Sequence, residues 1–219
     1  MTEFVVAIDG PAGSGKSSVS KQVARELGFG YLDTGAAYRA LTWWVEHRHG
    51  FDLSFLEDGS FASDFDYQIS TNPDDYWVRV GEHDLTLAIR EPRIAQQVSQ
   101  VARIPAVRNF MRELTVQEVS QCQNPGIVVE GRDITTVVLP SAQVRLLLTA
   151  SEAVRLERRS AEMPAASQLG LEVSKRDVED SRVVDFMNPA SGVSVIDSTE
   201  LDFAQTVAAV KELVASRNT

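Results

Sequence analysis

The sequence predicts an α/β protein: a doubly wound parallel core of five strands with helices on both faces, a small inserted antiparallel sheet and a mobile helical lid. Three observations predict it. Short apolar, β-branched runs alternate with stretches of helical periodicity, the pattern of a parallel sheet buried on both faces. The first apolar run ends directly in a glycine-rich turn that leads into a helix. Between residues 46 and 92 the chain changes character, with short alternating segments split by turn residues.

The elements follow in order. Phe4 to Asp9 (FVVAID) reads as a buried strand. Ser17 to Leu27 carries Val19, Val23, Ala24 and Leu27 on one helical face, with Gly28 as its stop. Tyr31–Leu32 begins a second strand, and a helix runs from about Ala36 to His47. Tyr67–Ser70, Trp77–Val80 and Leu85–Ile89 read as strands of a half-exposed antiparallel sheet, broken by Asn72-Pro73-Asp74. Helices follow from about Ile94 to Ala102 and from Pro105 to about Cys122. Ile127–Val129 and Val144–Leu148 are apolar strands. Ala150 to about Ala161 and Glu172 to Val183 are polar, arginine-bearing helices. Val193–Ile196 is the last strand, and Phe203 to Ala215 an amphipathic closing helix. The expected organisation is one domain: a core of about 1–45 and 104–219, an insertion of about 46–103 and a lid of about 153–185.

Composition narrows the class. The 219 residues, 43% apolar, suit one globular domain. A net charge of −10 argues against coating a nucleic-acid polymer or an anionic membrane. Residues 46–92 carry 11 acidic and 3 basic side chains, so the acidity belongs mainly to the insertion. The basic residues are 17 Arg against 4 Lys, and Arg is the residue for bidentate contact with phosphate. Cys122 is the single cysteine, which excludes an internal disulfide. No signal-peptide pattern and no apolar run of about 18 residues is visible, so a cytoplasmic location is expected, with no membrane partner.

Gly10-Pro11-Ala12-Gly13-Ser14-Gly15-Lys16-Ser17 matches the phosphate-binding loop pattern G-x-x-x-x-G-K-[ST] at every fixed position. Its glycines let backbone N–H groups curl around an anion, and the following helix adds its positive end. Lys16 is placed for the β- and γ-phosphates, and the Ser17 hydroxyl for direct ligation of Mg²⁺. The expected ligand is therefore ATP with Mg²⁺. Glu130 ends an apolar strand where a carboxylate supporting Mg²⁺ through water belongs. Asp9 is a second candidate for that water shell; capping the loop backbone is its equal alternative.

Many functions share such a loop. No Asn is followed by Lys, so the guanine-reading N-K-x-D is absent. The length suits a small kinase, which needs a second anion site. Asp33-Thr34-Gly35-Ala36-Ala37-Tyr38-Arg39 supplies a hydroxyl, a glycine and a helix N-terminus for it. Arg155, Arg158 and Arg159 share one helix face and suit a lid over the triphosphate; the plain alternative is a solvated face paired with Glu152 and Glu157.

Taken together, IDGPAGSGKSS, YLDTGAAYRAL, IREPRIAQQVSQVARIPAVRNF, VVEGRDITTVVLP, RDVEDS and VIDST resemble the bacterial cytidylate kinases, from about Val5 to Thr199. The resemblance implies transfer of a phosphoryl group from ATP to CMP or dCMP, giving ADP and CDP or dCDP, by a monomer. It implies that Gly10, Pro11, Ala12, Gly13, Ser14, Gly15, Lys16, Ser17 and Ser18 hold ATP. It implies that Thr34, Gly35, Arg39 and Arg132 hold the acceptor phosphate, that Ser99, Arg108 and Asp133 read cytosine, and that Arg176 and Asp180 bind the sugar. Lys16, Arg132, Arg155, Arg159 and Arg182 are then the charge-neutralising catalytic set, with Arg158 on the ATP side. One departure is plain: the family pattern R-D-x-x-D-S-x-R has Val183 at its last position here, with Arg182 one residue earlier. The other readings are a kinase for another small acceptor (UMP, AMP or shikimate) and a non-catalytic nucleotide sensor.

The base-reading trio makes chemical sense. Asp133 can accept from cytosine N4–H while Arg108 donates to O2 and N3. Uracil sets an acceptor against the carboxylate instead, which leaves buried groups unpaired. A helix cap is the alternative for Asp133, and an ordinary helical serine for Ser99.

Overall fold

The computed structural model describes residues 4–162 and 189–217. Strand β1 (Phe4–Asp9) leads through the glycine-rich loop into α1 (Lys16–Leu27). Then come β2 (Gly30–Asp33), α2 (Thr34–His49), β3 (Tyr67–Ile69), β4 (Val78–Val80) and β5 (His83–Asp84). Helices α3 (Pro92–Ala102) and α4 (Pro105–Gln121) are followed by β6 (Gly126–Gly131), β7 (Val144–Thr149) and α5 (Glu152–Glu162). Strand β8 (Ser194–Asp197) and helix α6 (Phe203–Ala215) close the chain.

β2, β6, β1, β7 and β8 form, in that order, one five-stranded parallel sheet. Alternate residues face opposite sides, and each side has its own core. Ala7 and Val129 pack with α2, α3 and α4 residues such as Leu41, Val101 and Met111. Val6, Ile8 and Val128 pack with Val19 and Val23 of α1 and Val207 and Val210 of α6. From β1 the chain crosses to β2 on one side of the sheet, and from β6 it crosses to β7 on the other, which opens a crevice beyond the C-terminal ends of the neighbouring strands β1 and β6.

Local chemistry sets the boundaries. Gly28 in the left-handed region ends α1, and its N–H reaches the Ala24 and Arg25 carbonyls. Asp33 caps α2 by accepting from Ala36 N–H. Pro92 and Pro105 open α3 and α4, where a missing N–H costs nothing. Asp202 and Gln205 form a reciprocal capping box on α6.

The segment between α2 and α3 carries the antiparallel sheet β3-β4-β5. Phe61, Phe65, Phe110 and Trp44 pack it onto α2 and α4, and Trp44 is a core residue. The third strand of this sheet differs from the expected Leu85–Ile89: β5 is His83–Asp84, and Ala88–Arg90 is a 3-10 turn. The side chain of Asp84 accepts from Thr86 N–H and turns the chain there. Periodicity also gave no sign of a π-helical turn at Ile134–Val138, where Val138 and Leu139 N–H reach back five residues to Asp133 and Ile134. The expected helix Glu172–Val183 and most of the lid lie outside the described residues. Among the described residues no helix is long and apolar enough to cross a membrane.

Candidate active site

The glycine-rich loop bridges the end of β1 and the start of α1 because its backbone takes conformations that side chains resist. Gly13 has φ +76°, and a Cβ there would lie 2.5 Å from the Arg155 carbonyl oxygen. Gly15, φ +83°, is the N-cap of α1. Ser14 Oγ is buried and has no hydrogen-bond partner among the described residues. The loop is thus a cradle of backbone N–H groups closed from behind by α5.

Glu130, at the end of β6, is buried to 2% exposure and faces the first turn of α1. Ser17 Oγ donates to Glu130 Oε1 at 2.6 Å, Tyr31 Oη donates to the same oxygen at 3.3 Å, and Lys16 Nζ stands 3.7 Å from Oε2. Burial pushes the Glu130 carboxyl up, and the neighbouring Asp33 charge adds to this; Lys16, Ser17 and Arg39 only partly offset them. A buried carboxylate beside a serine hydroxyl suits a hard cation held largely by phosphate oxygens and water. Among the described residues, no group of three His, Cys, Asp or Glu side chains could hold a metal by itself.

Asp9 takes a different part. Its oxygens accept from Ile134 N–H (2.8 Å), Thr135 N–H (2.9 Å) and Thr135 Oγ1 (2.6 Å). The expected capping of the glycine-rich loop is therefore corrected: Asp9 caps the turn after β6 instead. Burial pushes its carboxyl up despite these bonds. Both oxygens are committed to this turn, which the sequence reading did not foresee.

Across the crevice, Thr34 Oγ1 donates to the Glu130 carbonyl at 2.8 Å, and a Cβ on Gly131 would come within 2.6 Å of that hydroxyl. The β6 end and the α2 start therefore meet only because residue 131 is glycine. Arg39 Nη2 donates to Asp33 Oδ2 at 2.7 Å, and Arg132 Nη1 donates to the Gly10 carbonyl at 2.6 Å. Arg132 thus spans from β6 to the glycine-rich loop. Gly35 lies in the first turn of α2, where Arg39 Nη1 would be 2.9 Å from an added Cβ.

Further along the crevice, Arg108 Nη2 of α4 donates to Asp133 Oδ2 at 2.8 Å. Ser99 is buried on α3. Tyr38 was not singled out from the sequence, yet its phenol faces this pair and is pushed up first by burial and then by the Asp133 charge. The signal was available: Tyr38 stands four residues after Thr34 and next to Arg39 in the same helix. Asp133 is also pushed up, chiefly by burial, with Arg108 opposing.

The arginines of α5 support the loop. Arg155, 7% exposed, donates from Nη1 to the Ala12 carbonyl at 3.0 Å. Arg158 reaches the Ser14 carbonyl at 3.4 Å, the Ser198 hydroxyl at 2.9 Å, the Ser198 carbonyl at 2.8 Å and the Leu201 carbonyl at 3.2 Å. It therefore ties the glycine-rich loop to the turn after β8, a link that spacing alone does not reveal. Arg159 belongs to the same helix, but its side chain lies outside the described residues. Arg176, Asp180 and Arg182 lie outside them altogether.

Comparison with known proteins follows the same direction. A family model described as cytidylate kinase matches residues 6–216. A cytidylate kinase of Cutibacterium acnes is 44% identical over 217 residues, covering 96% of this chain and 96% of its own. A cytidylate kinase of Lactiplantibacillus plantarum is 40% identical over 222 residues, covering 97% and 95%. Among solved structures, the Thermus thermophilus protein TT1252 superposes with a TM-score of 0.52 at 18% identity, covering 99% of this chain and 98% of that one. A gluconokinase of Sinorhizobium meliloti gives 0.51 at 14% identity, covering 97% and 92%. At these identities the superpositions speak for the fold alone.

Proposed function

The chain belongs to the cytidylate kinase family, and from that premise we propose how its residues divide the work of phosphoryl transfer from ATP to CMP or dCMP, giving ADP and CDP or dCDP. The observation that carries the division is the Arg108–Asp133 pair at 2.8 Å, set across the crevice from the glycine-rich loop. It is a donor and an acceptor side by side, the complement of the cytosine edge.

Gly10–Ser18 cradles the ATP phosphates, and Lys16 follows the charge that develops on the transferred group. Mg²⁺ would supply neutralisation of the phosphate charge. Ser17 would be its direct ligand and Glu130 would hold its water, a division supported by the 2.6 Å hydrogen bond between the two side chains. Asp9 is left to shape the backbone at Ile134–Thr135.

Thr34, Gly35, Arg39 and Arg132 hold the acceptor phosphate, with Ser99, Arg108 and Asp133 on the base. Arg176 and Asp180 on the sugar, and Arg159 and Arg182 on the lid, complete the proposal. The nucleophile is an oxygen of a phosphate monoester whose second pKa is about 6, so it is already mostly dianionic at pH 7. No general base is needed. Catalysis rests on in-line positioning and charge neutralisation. The protein acts on nucleotides, as a monomer in this reading and in a cytoplasmic setting.

The test is a panel of ribo- and deoxyribonucleoside monophosphates in an ADP-release assay. CMP and dCMP should outpace UMP and AMP. Faster turnover of UMP or AMP overturns the base-reading assignment, and ATP binding without phosphorylation of any acceptor overturns the kinase reading.

A further inference from the structure

The inserted sheet returns one side chain to the active site. Tyr76 lies in the connection between β3 and β4, which is fastened to the parallel core at two places. Tyr31 N–H donates to the Thr71 carbonyl at 2.8 Å. Arg25 donates from Nε to Asp74 Oδ1 at 2.6 Å and from Nη2 to the Pro73 carbonyl at 3.1 Å.

Anchored this way, the Tyr76 ring lies against the Tyr31 ring, centroids 6.0 Å apart. Lys21 Nζ stands 5.3 Å from the Tyr76 centroid and the Arg90 guanidinium 6.0 Å. The charged groups facing its phenol are Asp33, Arg39, Arg90 and Glu130. Tyr76 has thus reached the groups that flank the glycine-rich loop and the α2 N-terminus.

Three atoms in this cluster stand out. Tyr76 Oη is buried with no hydrogen-bond partner among the described residues, and so are Arg39 Nε and, deeper in the same cluster, Tyr67 Oη. Arg39 gives only Nη2 to Asp33. Buried polar atoms are nearly always partnered, so neighbouring orphans with protons to donate ask for an acceptor from outside the chain. Lys21, Arg39 and Arg90 outnumber the acidic Asp33 and Glu130 around that place, so the balance of charge favours an anion there.

We propose that Tyr76 is a further acceptor-binding residue: its hydroxyl, together with Arg39 Nε, donates to an oxygen of the acceptor's phosphate. The inserted sheet then reads the phosphate, a group common to all monophosphates, while Arg108 and Asp133 read the base. Burial pushes the Tyr76 phenol up, so it remains a protonated donor through the neutral range. The inference rests on the kinase reading above.

Tyr76→Phe removes the hydroxyl and keeps the ring. The KM for CMP should rise about ten- to a hundredfold, the size of a lost hydrogen bond to a charged group. CMP binding measured by calorimetry without ATP should weaken by a similar factor. The KM for ATP should move less than about twofold. The thermal midpoint of the ligand-free enzyme should hold or rise, because no internal hydrogen bond is lost. A purely structural tyrosine gives a different result: a lower midpoint with both KM values raised together, or no change in CMP binding at all. Either result overturns the proposal. If the wild-type protein does not phosphorylate CMP in the same assay, the kinase reading falls and this inference with it.

Discussion

Ser17 Oγ donates to Glu130 Oε1 across 2.6 Å, joining the first turn of α1 to the end of β6 by one side-chain hydrogen bond. The two groups come from separate sequence motifs, 113 residues apart. The bond fixes a hydroxyl and a carboxylate beside Lys16, with the carboxylate almost wholly out of water.

The first prediction concerns this pair. Glu130→Gln keeps the shape and removes the charge. We expect kcat to fall by roughly a hundredfold, the scale of one lost electrostatic contact in a water-poor site. KM for CMP should change little, and half-maximal activity should need more Mg²⁺. Steady-state kinetics across a Mg²⁺ titration measure all three; an unchanged Mg²⁺ requirement removes Glu130 from the ion's surroundings.

A second prediction concerns the base. Asp133 and Arg108 satisfy one another in the structure, so Asp133→Ala leaves a half-buried guanidinium without its carboxylate. The preference for CMP over UMP should shrink by roughly tenfold or more, since the clash with uracil's acceptor disappears along with the contact to cytosine. The ratio of kcat/KM values for the two acceptors measures it. An unchanged ratio removes Asp133 from the base site.

A third prediction separates stability from chemistry. Asp9 accepts three hydrogen bonds from Ile134 and Thr135 and is 3% exposed. Asp9→Ala orphans two buried backbone N–H groups and should cost about 2–4 kcal/mol, read as a lower urea midpoint. The Mg²⁺ requirement of the folded fraction should stay put. A shifted Mg²⁺ requirement with unchanged stability returns Asp9 to the metal's water shell.

These cases show how legible the molecule was. Strands β1, β6 and β7 were readable because they lie between two packed faces and their runs are mainly apolar, with Arg145 of β7 the interruption. The glycine-rich loop was readable because its chemistry is local. β5 was not, since two exposed residues paired to β4 carry no periodic signal. The roles of Asp9 and Tyr76 were hidden for another reason. Each depends on a partner brought near by the fold: Asp9 meets a turn 125 residues away, and Tyr76 comes from an insertion stapled to β2. Arg158 likewise reads as a lid residue by spacing, but in space it meets Ser198 and Leu201.

A fourth prediction tests the loop's backing. Gly13→Ala puts a methyl where φ is +76° and where the Arg155 carbonyl oxygen would stand 2.5 Å away. Backbone strain and the clash both push the loop off α5, which breaks the Arg155–Ala12 bond. ATP affinity should drop more than tenfold while CMP affinity stays within a few-fold. Separate binding titrations with each nucleotide measure this; equal losses point to global unfolding instead.

The last prediction is a pH dependence. Burial holds the Glu130 carboxyl above its usual value in the folded protein, while in the unfolded chain it titrates near the ordinary ~4.3. The folded state therefore binds the proton more tightly, and between those two values it carries more protons than the unfolded state. Stability from this group is fully present below the unfolded value and is lost as pH rises through the folded one. Glu130→Gln cannot titrate. Relative to that variant, the ligand-free wild type should lose stability as pH rises from about 4.3, with a slope of at most ~1.4 kcal/mol per pH unit, and then level off. Urea unfolding of both proteins at pH steps from about 4.5 to 7.5 measures the difference. A difference that does not change with pH means that Lys16 and Ser17, not burial, set the charge of Glu130.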